Sequence, residues 1–297
     1  MLASPRVWIN GSETSFLNVF DRGLSYGDGF FTTALVRNGA WLNGSAHLWR
    51  LQQSTEKLHF PALDSADLLK QICASYAQLG ELNTHSLVLK IMVTRGVGGR
   101  GYQPPEPSQP TLIIQWSAAP SDLNATPPLT LWECQTPLSL NTATAGIKHL
   151  NRLDNVLAKN ELAHLGFSDG LMCNARQDVI CSSQANLFLL RGDELTTPLL
   201  HESGVHGTVR YALEQLSVQL GYRWREQPVQ WAQVLEADGL FLSNAIRGIV
   251  PVAALHMADQ SEHHFASESL LDIARIGAYF DDYQSATAIS LVNEIGR

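Results

Sequence analysis

The chain is short of charge. Asp, Glu, Lys and Arg make up 16% of its 297 residues, and no long block of one sign occurs. A disordered chain is therefore not expected, because 45% of the residues are hydrophobic and can bury a core. Cations are the scarcer sign, 20 Lys and Arg against 28 Asp and Glu, a net charge of −8. That balance argues against a nucleic-acid partner or an anionic membrane surface. Any anion must be held locally, by a few cationic side chains and backbone N–H groups. Cysteine is scarce too: Cys73, Cys134, Cys173 and Cys181 form no C-x-x-C pair. Reduced thiols in the cytoplasm are the expectation. No apolar run of about 18 residues could span a bilayer, and Met1-Leu-Ala-Ser-Pro-Arg lacks the apolar core of a signal peptide. There is no G-x-S-x-G elbow and no P-loop. His201 and His206, or His263 and His264, match no metal-ligand spacing, so no metal is expected.

What is present falls into two halves around a Pro-rich stretch. Val7-Trp8-Ile9 before Asn10-Gly11, and Thr33 to Arg37 before Asn38-Gly39, read as two-residue hairpins. Ala46–Leu58 and Ser65–Leu79 read as helices, the second capped by Ser65. Residues 86–94 and 111–116 are apolar and β-rich. Three prolines lie in residues 118–128, so domains are expected at 1–118 and 129–297 with a linker at 119–128. In the second half, strands are expected at 129–134, 170–173, 179–181, 186–190 and 239–242, and helices at 150–165 and 209–220. Gly166 stands at the C-cap position of the first of these helices. Residues from 261 on carry little signal.

Gly96-Val97-Gly98-Gly99-Arg100-Gly101 matches the dinucleotide pattern G-x-G-x-x-G. That pattern needs a helix N-terminus next, and the chain instead runs into Tyr102-Gln-Pro-Pro. A loop carrying Arg95, Arg100 and Tyr102 to an anionic substrate is the better reading. Lys148 lies among small and apolar residues in Ala145-Gly-Ile-Lys-His-Leu-Asn-Arg152. A desolvated lysine has a lowered pKa and forms imines with aldehydes, although spacing alone does not separate it from an ordinary surface lysine.

The segment Gly146 to Leu157 resembles the lysine segment of the fold-type IV pyridoxal 5′-phosphate (PLP) family, in its aminodeoxychorismate-cleaving branch. Other branches are the branched-chain and D-amino-acid aminotransferases. The similarity runs through nearly the whole chain. Phe20 to Thr33 (FDRGLSYGDGFFTT) is similar to the family's N-terminal signature, and His47-Leu-Trp-Arg50-Leu to its H-x-x-R-L. Arg95 to Tyr102 (RGVGGRGY) resembles a segment of the lyase branch. Ser203 to Arg210 resembles the phosphate-cradling turn, and Leu242-Ser-Asn-Ala245 the second cofactor loop.

The resemblance implies an α/β fold of two domains, of the D-amino-acid aminotransferase type, with the cofactor in the cleft between them. It implies PLP held on Lys148 as a Schiff base, with Lys148 also the general base. Its phosphate would meet Arg50, Thr208 and Val209, with Asn244 and Ala245 closing the cage. Substrate would meet Thr33, Arg95, Arg100 and Tyr102. The implied reaction is carbon–oxygen lysis of 4-amino-4-deoxychorismate to 4-aminobenzoate and pyruvate, by a cytoplasmic homodimer.

One position departs from the family. Five residues before the Asn of Asn186-Leu-Phe, where the family has a glutamate facing the pyridine nitrogen, stands Cys181. Asp178 is three residues away, an odd step that points to the other face of a strand. A carboxylate keeps the ring nitrogen protonated and the ring electron-withdrawing, whereas a thiol is a weak partner. Two other readings stay open: an aminotransferase of D- or branched-chain amino acids, and a PLP-binding protein of weak catalysis.

Overall fold

The computed structural model describes residues 4–80, 86–123 and 127–292. The middle of the expected linker (124–126) and the last five residues of the tail lie outside them. The chain forms two compact units. One comprises residues 1–121, 147–151 and 283–297, the other 122–146 and 152–282. Residues 147–151, which include Lys148, therefore belong to the first unit, although they lie within the sequence of the second.

In chain order the first unit contributes β1 (Arg6–Ile9), β2 (Ser12–Glu13), α1 (Arg22–Tyr26), β3 (Gly29–Arg37), β4 (Ala40–Trp41), α2 (Gly44–Lys57), α3 (Ser65–Ala77), β5 (Leu87–Thr94) and β6 (Thr111–Ala118). Next come β7 (Leu129–Glu133), α4 (Leu153–Leu165), β8 (Gly170–Cys173), β9 (Val179–Ser182), β10 (Asn186–Arg191), β11 (Glu194–Pro198), α5 (Thr208–Leu216), β12 (Arg223–Gln227), α6 (Trp231–Leu235), β13 (Gly239–Asn244), β14 (Gly248–His256) and β15 (Glu262–His264). They end with α7 (Ser269–Ala286) and β16 (Ile289–Ser290), so the weakly patterned C-terminus holds a helix and a strand.

In the first unit the strands order as β16-β4-β3-β5-β6-β1-β2, antiparallel throughout. Both expected hairpins form. Asn10 and Gly11, and Asn38 and Gly39, all have positive φ, the type I′ geometry that Asn-Gly favours. One face of this sheet is apolar: Phe30, Ala34 and Val36 pack with Leu87, Leu89, Ile91, Trp116 and the inner sides of α2 and α3. Helix α3 is capped by Asp64, whose carboxylate accepts from the Ala66 and Asp67 amides, rather than by Ser65, its first residue.

The second unit orders its strands β12-β11-β10-β13-β14-β7-β8-β9, with β15 on β14. Strand β9 also pairs with β10, through Cys181 and Asn186, so six of these strands close into a ring. Leu187, Leu189, Leu240, Leu242 and Val252 pack with Val234 of α6 on one face. Helix α4 starts at Leu153 rather than near Leu150, because residues 148–150 are drawn into β3 instead. It ends at Gly166, at φ 81°, as its C-cap position requires. Its stripe is only half covered: Ala158 and Leu162 are buried, while Leu153, Val156 and Leu157 are exposed. Among the described residues no helix is long and apolar enough to cross a membrane.

Candidate active site

In the first unit, residues 148–150 lie against the start of β3. The Phe31 amide donates to the Lys148 carbonyl at 2.9 Å, and the Leu150 amide to the Gly29 carbonyl at 2.9 Å. A side chain at Gly29 would lie 2.5 Å from the Val93 carbonyl and 2.7 Å from Leu150, so this close seam requires glycine. The seam brings Lys148 Nζ to 4.6 Å from the centre of the Phe31 ring, a cation–π contact. Lys148 is half-buried.

A second lysine meets the same ring. Lys90 Nζ lies 5.1 Å from the Phe31 centre, and Lys90 stands directly opposite Thr33 in the β3–β5 register. The two ammonium groups are thus at most about 10 Å apart. Lys90 is half-buried, and burial lowers its pKa. It has no hydrogen bond or ion pair among the described residues. Lys90 was missed at the sequence level, yet a signal existed: it is the one charge in the apolar strand Leu87-Val-Leu-Lys-Ile-Met-Val93.

Phe31 and Thr32 are neighbours on β3, so they face opposite sides. With Thr32 lie two residues of α2. Thr32 Oγ1 is 2.6 Å from His47 Nδ1 and accepts from Arg50 Nη2. His47 is fully buried, and burial with the Arg50 charge holds its pKa well below 6.5, so the imidazole is neutral. Arg50 is 5% exposed. Burial lowers its pKa to about 9. It has no carboxylate partner among the described residues, and its Nε is buried without a hydrogen bond. A buried cation without a counter-charge is costly, and an anion beside Arg50 would offset that cost.

The other expected residues of this unit divide. Arg100 and Tyr102 are exposed. Arg95 is not available to substrate. It is buried, its Nε is 2.9 Å from Asp28, and its two Nη groups donate to the Leu58 and His59 carbonyls. The expectation that it meets a substrate carboxylate gives way to a tie within the unit. The loop from Gly96 to Pro110 contains no helix, which removes the dinucleotide pattern.

In the second unit the expected cofactor residues gather at one end of the ring. Cys181 pairs with Asn186, and Asn186 with Ser243. The Asn186 amide donates to the Val205 carbonyl at 2.8 Å, and its Oδ1 would lie 2.1 Å from a side chain at Gly207. That contact, not an unusual φ, demands glycine where α5 begins. Gly207 gives α5 no side-chain cap, so the amides of its first turn, at Thr208 and Val209, present the positive end of the helix. Thr208 and Val209 are buried. Ser243 Oγ is buried without a hydrogen-bond partner and lines a cleft of about 320 Å³ with Ala185, Leu242 and Asn244. Ala245 is half-buried beside it.

Cys181 is 8% exposed, and its neighbouring charge is Arg152. No carboxylate replaces the missing glutamate from Asp178, which is held by Asn174 and Gln230. Burial pushes Cys134 and Cys173 up to about 12, so those thiols are inert. Among the described residues no group of side chains could hold a metal ion.

A model of the amino-transferase class IV family matches residues 29–255. An aminodeoxychorismate lyase of Vibrio harveyi is 31% identical over 250 residues, 84% of this chain and 90% of that protein. The crystal structure of 4-amino-4-deoxychorismate lyase from Pseudomonas aeruginosa superposes with a TM-score of 0.83 at 33% identity, over 94% of this chain and 99% of that one. A hypothetical aminotransferase from Mycobacterium tuberculosis in a PLP-bound form shares the fold, with a TM-score of 0.75 at 20% identity, over 94% and 99%. Each unit by itself has features that suit a phosphorylated cofactor: in the first, Arg50 Nε is a buried polar atom that lacks a hydrogen bond, and in the second, Ser243 Oγ is another and α5 begins at a glycine shaped by Asn186.

Arg50 should therefore have opposite effects with and without an anion. Arg50→Leu is expected to leave the cofactor-free protein as stable as wild type or more so, since a buried uncompensated charge is removed. The same variant should lose the rise in Tm that PLP or inorganic phosphate gives wild type. A variant that is strongly destabilised without ligand, yet still gains Tm from phosphate, would refute the anion role.

Proposed function

The chain belongs to the amino-transferase class IV family, and on that premise we propose that it is a PLP-dependent lyase of folate synthesis, releasing 4-aminobenzoate and pyruvate from 4-amino-4-deoxychorismate. The observation that carries the cofactor is the buried Arg50 guanidinium, which has no carboxylate partner among the described residues. The lyase rather than an aminotransferase is supported by the RGVGGRGY segment and by the 31% and 33% identity to lyases.

When bound, PLP supplies an aldehyde for the substrate amine and a conjugated ring that takes up the electron pair left at the neighbouring carbon. Lys148 would hold the cofactor through its Nζ. It then serves as the base that takes the proton from the carbon bearing the amine. The Phe31 face beside Nζ keeps water from that side and orients the stem. Arg50, with the amides of Thr208 and Val209, receives the phosphate; Asn244 and Ala245 close the cofactor cage. The substrate carries two carboxylates, and the cations left for them are Arg100 and Lys90, with Thr33 and Tyr102 beside them. Arg95 is not among them, because its donors are already satisfied.

Cys181 bears on how strong the electron sink is. Loss of pyruvate restores an aromatic ring, so this reaction has a driving force that amino transfer lacks. A thiol in place of the usual carboxylate is compatible with the lyase and less so with an aminotransferase. The protein works as a homodimer. That reading is supported by two apolar surfaces, Phe16, Val19, Phe20 and Leu24 in one unit and Leu153, Val156 and Leu157 in the other, all exposed, since such patches mark interfaces. It resides in the cytoplasm, where its four buried thiols, none of them in a disulfide, stay reduced.

The direct assay is pyruvate and 4-aminobenzoate release from 4-amino-4-deoxychorismate by PLP-loaded protein, with amino transfer to a keto acid as the competing outcome. Transfer without release would reject the lyase. Lys148→Ala should abolish both turnover and the visible cofactor band, and a mutant with an unchanged band would refute the covalent anchor. In the same assay Lys90→Met should raise KM by about tenfold, the size expected for loss of one charged contact. Cys181→Glu should leave lyase turnover the same or lower; a gain of orders of magnitude would mean that the natural protein is a weak catalyst. Light scattering should give the mass of a dimer, and Val19→Asp with Phe20→Asp should halve it, whereas a monomeric wild type at micromolar concentration would end the dimer reading.

A further inference from the structure

We propose that Arg22, Asp28 and Arg95 form a latch that fixes the loop from Gly96 to Pro110, and that Arg22 is thereby a positioning residue for the loop's Arg100 and Tyr102. Nothing in the sequence patterns gives Arg22 a task beyond membership of the N-terminal signature. In the fold it is 4% exposed, at the start of the five-residue helix α1. Its guanidinium donates at three successive carbonyls of the loop: Nη1 to Gly101 at 3.1 Å and Gln103 at 3.3 Å, Nη2 to Tyr102 at 2.6 Å. Its Nε donates to Asp28 Oδ2 at 2.8 Å. The same carboxylate accepts from Arg95 Nε, and Arg95 in turn binds the Leu58 and His59 carbonyls just beyond α2 and lies 3.9 Å over the Phe60 ring. One carboxylate thus joins two guanidinium groups, and these hold five backbone carbonyls.

The loop has little else to hold it. It contains four glycines and four prolines in 15 residues and makes no strand or helix. Its other ties to α1 and the residues before it are the Arg22 amide to Gly96 O at 2.9 Å and the Gly98 amide to Phe20 O at 3.2 Å. The contact is close, since a side chain at Gly98 would lie 2.7 Å from Arg22 Cδ and 2.8 Å from Cγ. The Arg22 guanidinium also sits 4.9 Å from the Tyr26 ring, and Tyr26 meets Tyr102 edge-on at 5.4 Å. Lysine could not do this, because a single ammonium cannot reach three carbonyls and a carboxylate in one plane. The consequence is that Arg100 and Tyr102, although exposed, stand on a backbone pinned from beneath. A pinned loop meets substrate with less ordering entropy than a free one.

The part of this that concerns substrate rests on the proposed lyase reading; the latch itself does not. The test uses the full-length, PLP-loaded protein with Arg22→Lys and, as a gentler variant that keeps both arginines, Gly98→Ala. Hydrogen exchange of the residue 97–103 amides should accelerate by about tenfold or more in both variants, as expected when a local tie is lost. The KM for 4-amino-4-deoxychorismate should rise by about tenfold with kcat within about threefold, and the visible cofactor band should not move. Unchanged exchange in both variants overturns the latch. Faster exchange with an unchanged KM overturns the positioning role and leaves a structural tie. A wild type that does not cleave the substrate refutes the lyase reading instead, and the exchange result still decides the latch.

Discussion

The pairing of residues 148–150 with the first residues of β3 is the constraint on which the candidate site depends. Two backbone hydrogen bonds and a glycine-only contact fix it. Because backbone rather than side-chain groups make the seam, the placement of Lys148 is independent of any one side chain's rotamer. The chain returns to the second unit at Arg152, and α4 starts one residue later. A lysine on a helix would fray with the helix end. One on a backbone segment sealed against β3 is held more closely, as the proposed covalent anchor would need.

Charge is arranged around that seam in an unusual way for an acidic protein. Three cations sit on or beside β3, with Arg50 on the Thr32 side and Lys148 and Lys90 on the Phe31 side. Neither Arg50 nor Lys90 has an acidic partner among the described residues. Compare Arg22 and Arg95, as buried as Arg50 but sharing Asp28, and Arg210, paired with Glu226. The fold therefore supplies counter-charges where arginine is structural. Where it withholds them, as at Arg50 and Lys90, burial lowers the pKa with no acid to offset it, and an anion would relieve that cost. This contrast sets Arg50 apart from Arg22 and Arg95 where exposure does not, since all three are nearly inaccessible.

Much of this was legible in the sequence, for identifiable reasons. The Asn-Gly hairpins and the Gly166 cap are local rules with one answer, and they formed as read. Lys148 and Arg50 stood out because several short segments occurred in one order. What sequence did not reveal depends on partners distant along the chain. Arg95 carries the same charge whether it meets substrate or Asp28, 67 residues away. Lys90 looked like a stray polar residue in an apolar strand until the register set it opposite Thr33 and over Phe31. Helix α4 was expected to begin near Leu150 because its apolar spacing continues there, and the competing pull of β3 is invisible to periodicity. The C-terminal strand β16 is two residues long and exists only through its pairing with β4.

Cys181 is the position where fold and chemistry ask different things. As a packing residue it is well placed: buried, in register with Asn186, and part of a cluster with Cys134, Ala158, Leu162 and Met172. A glutamate there would bring a carboxylate to an apolar cluster and need compensation. Arg152, whose charge interacts with Cys181, is positioned to provide it, and burial already lowers the pKa of that arginine. A carboxylate at this position would thus be paired, whereas a thiol offers the Arg152 guanidinium a weaker partner. A positive charge disfavours protonation of a basic group nearby. The substitution therefore does more than delete an acid; it leaves the charge of Arg152 less well balanced, and a reaction that ends in an aromatic product is one that tolerates the weaker electron sink.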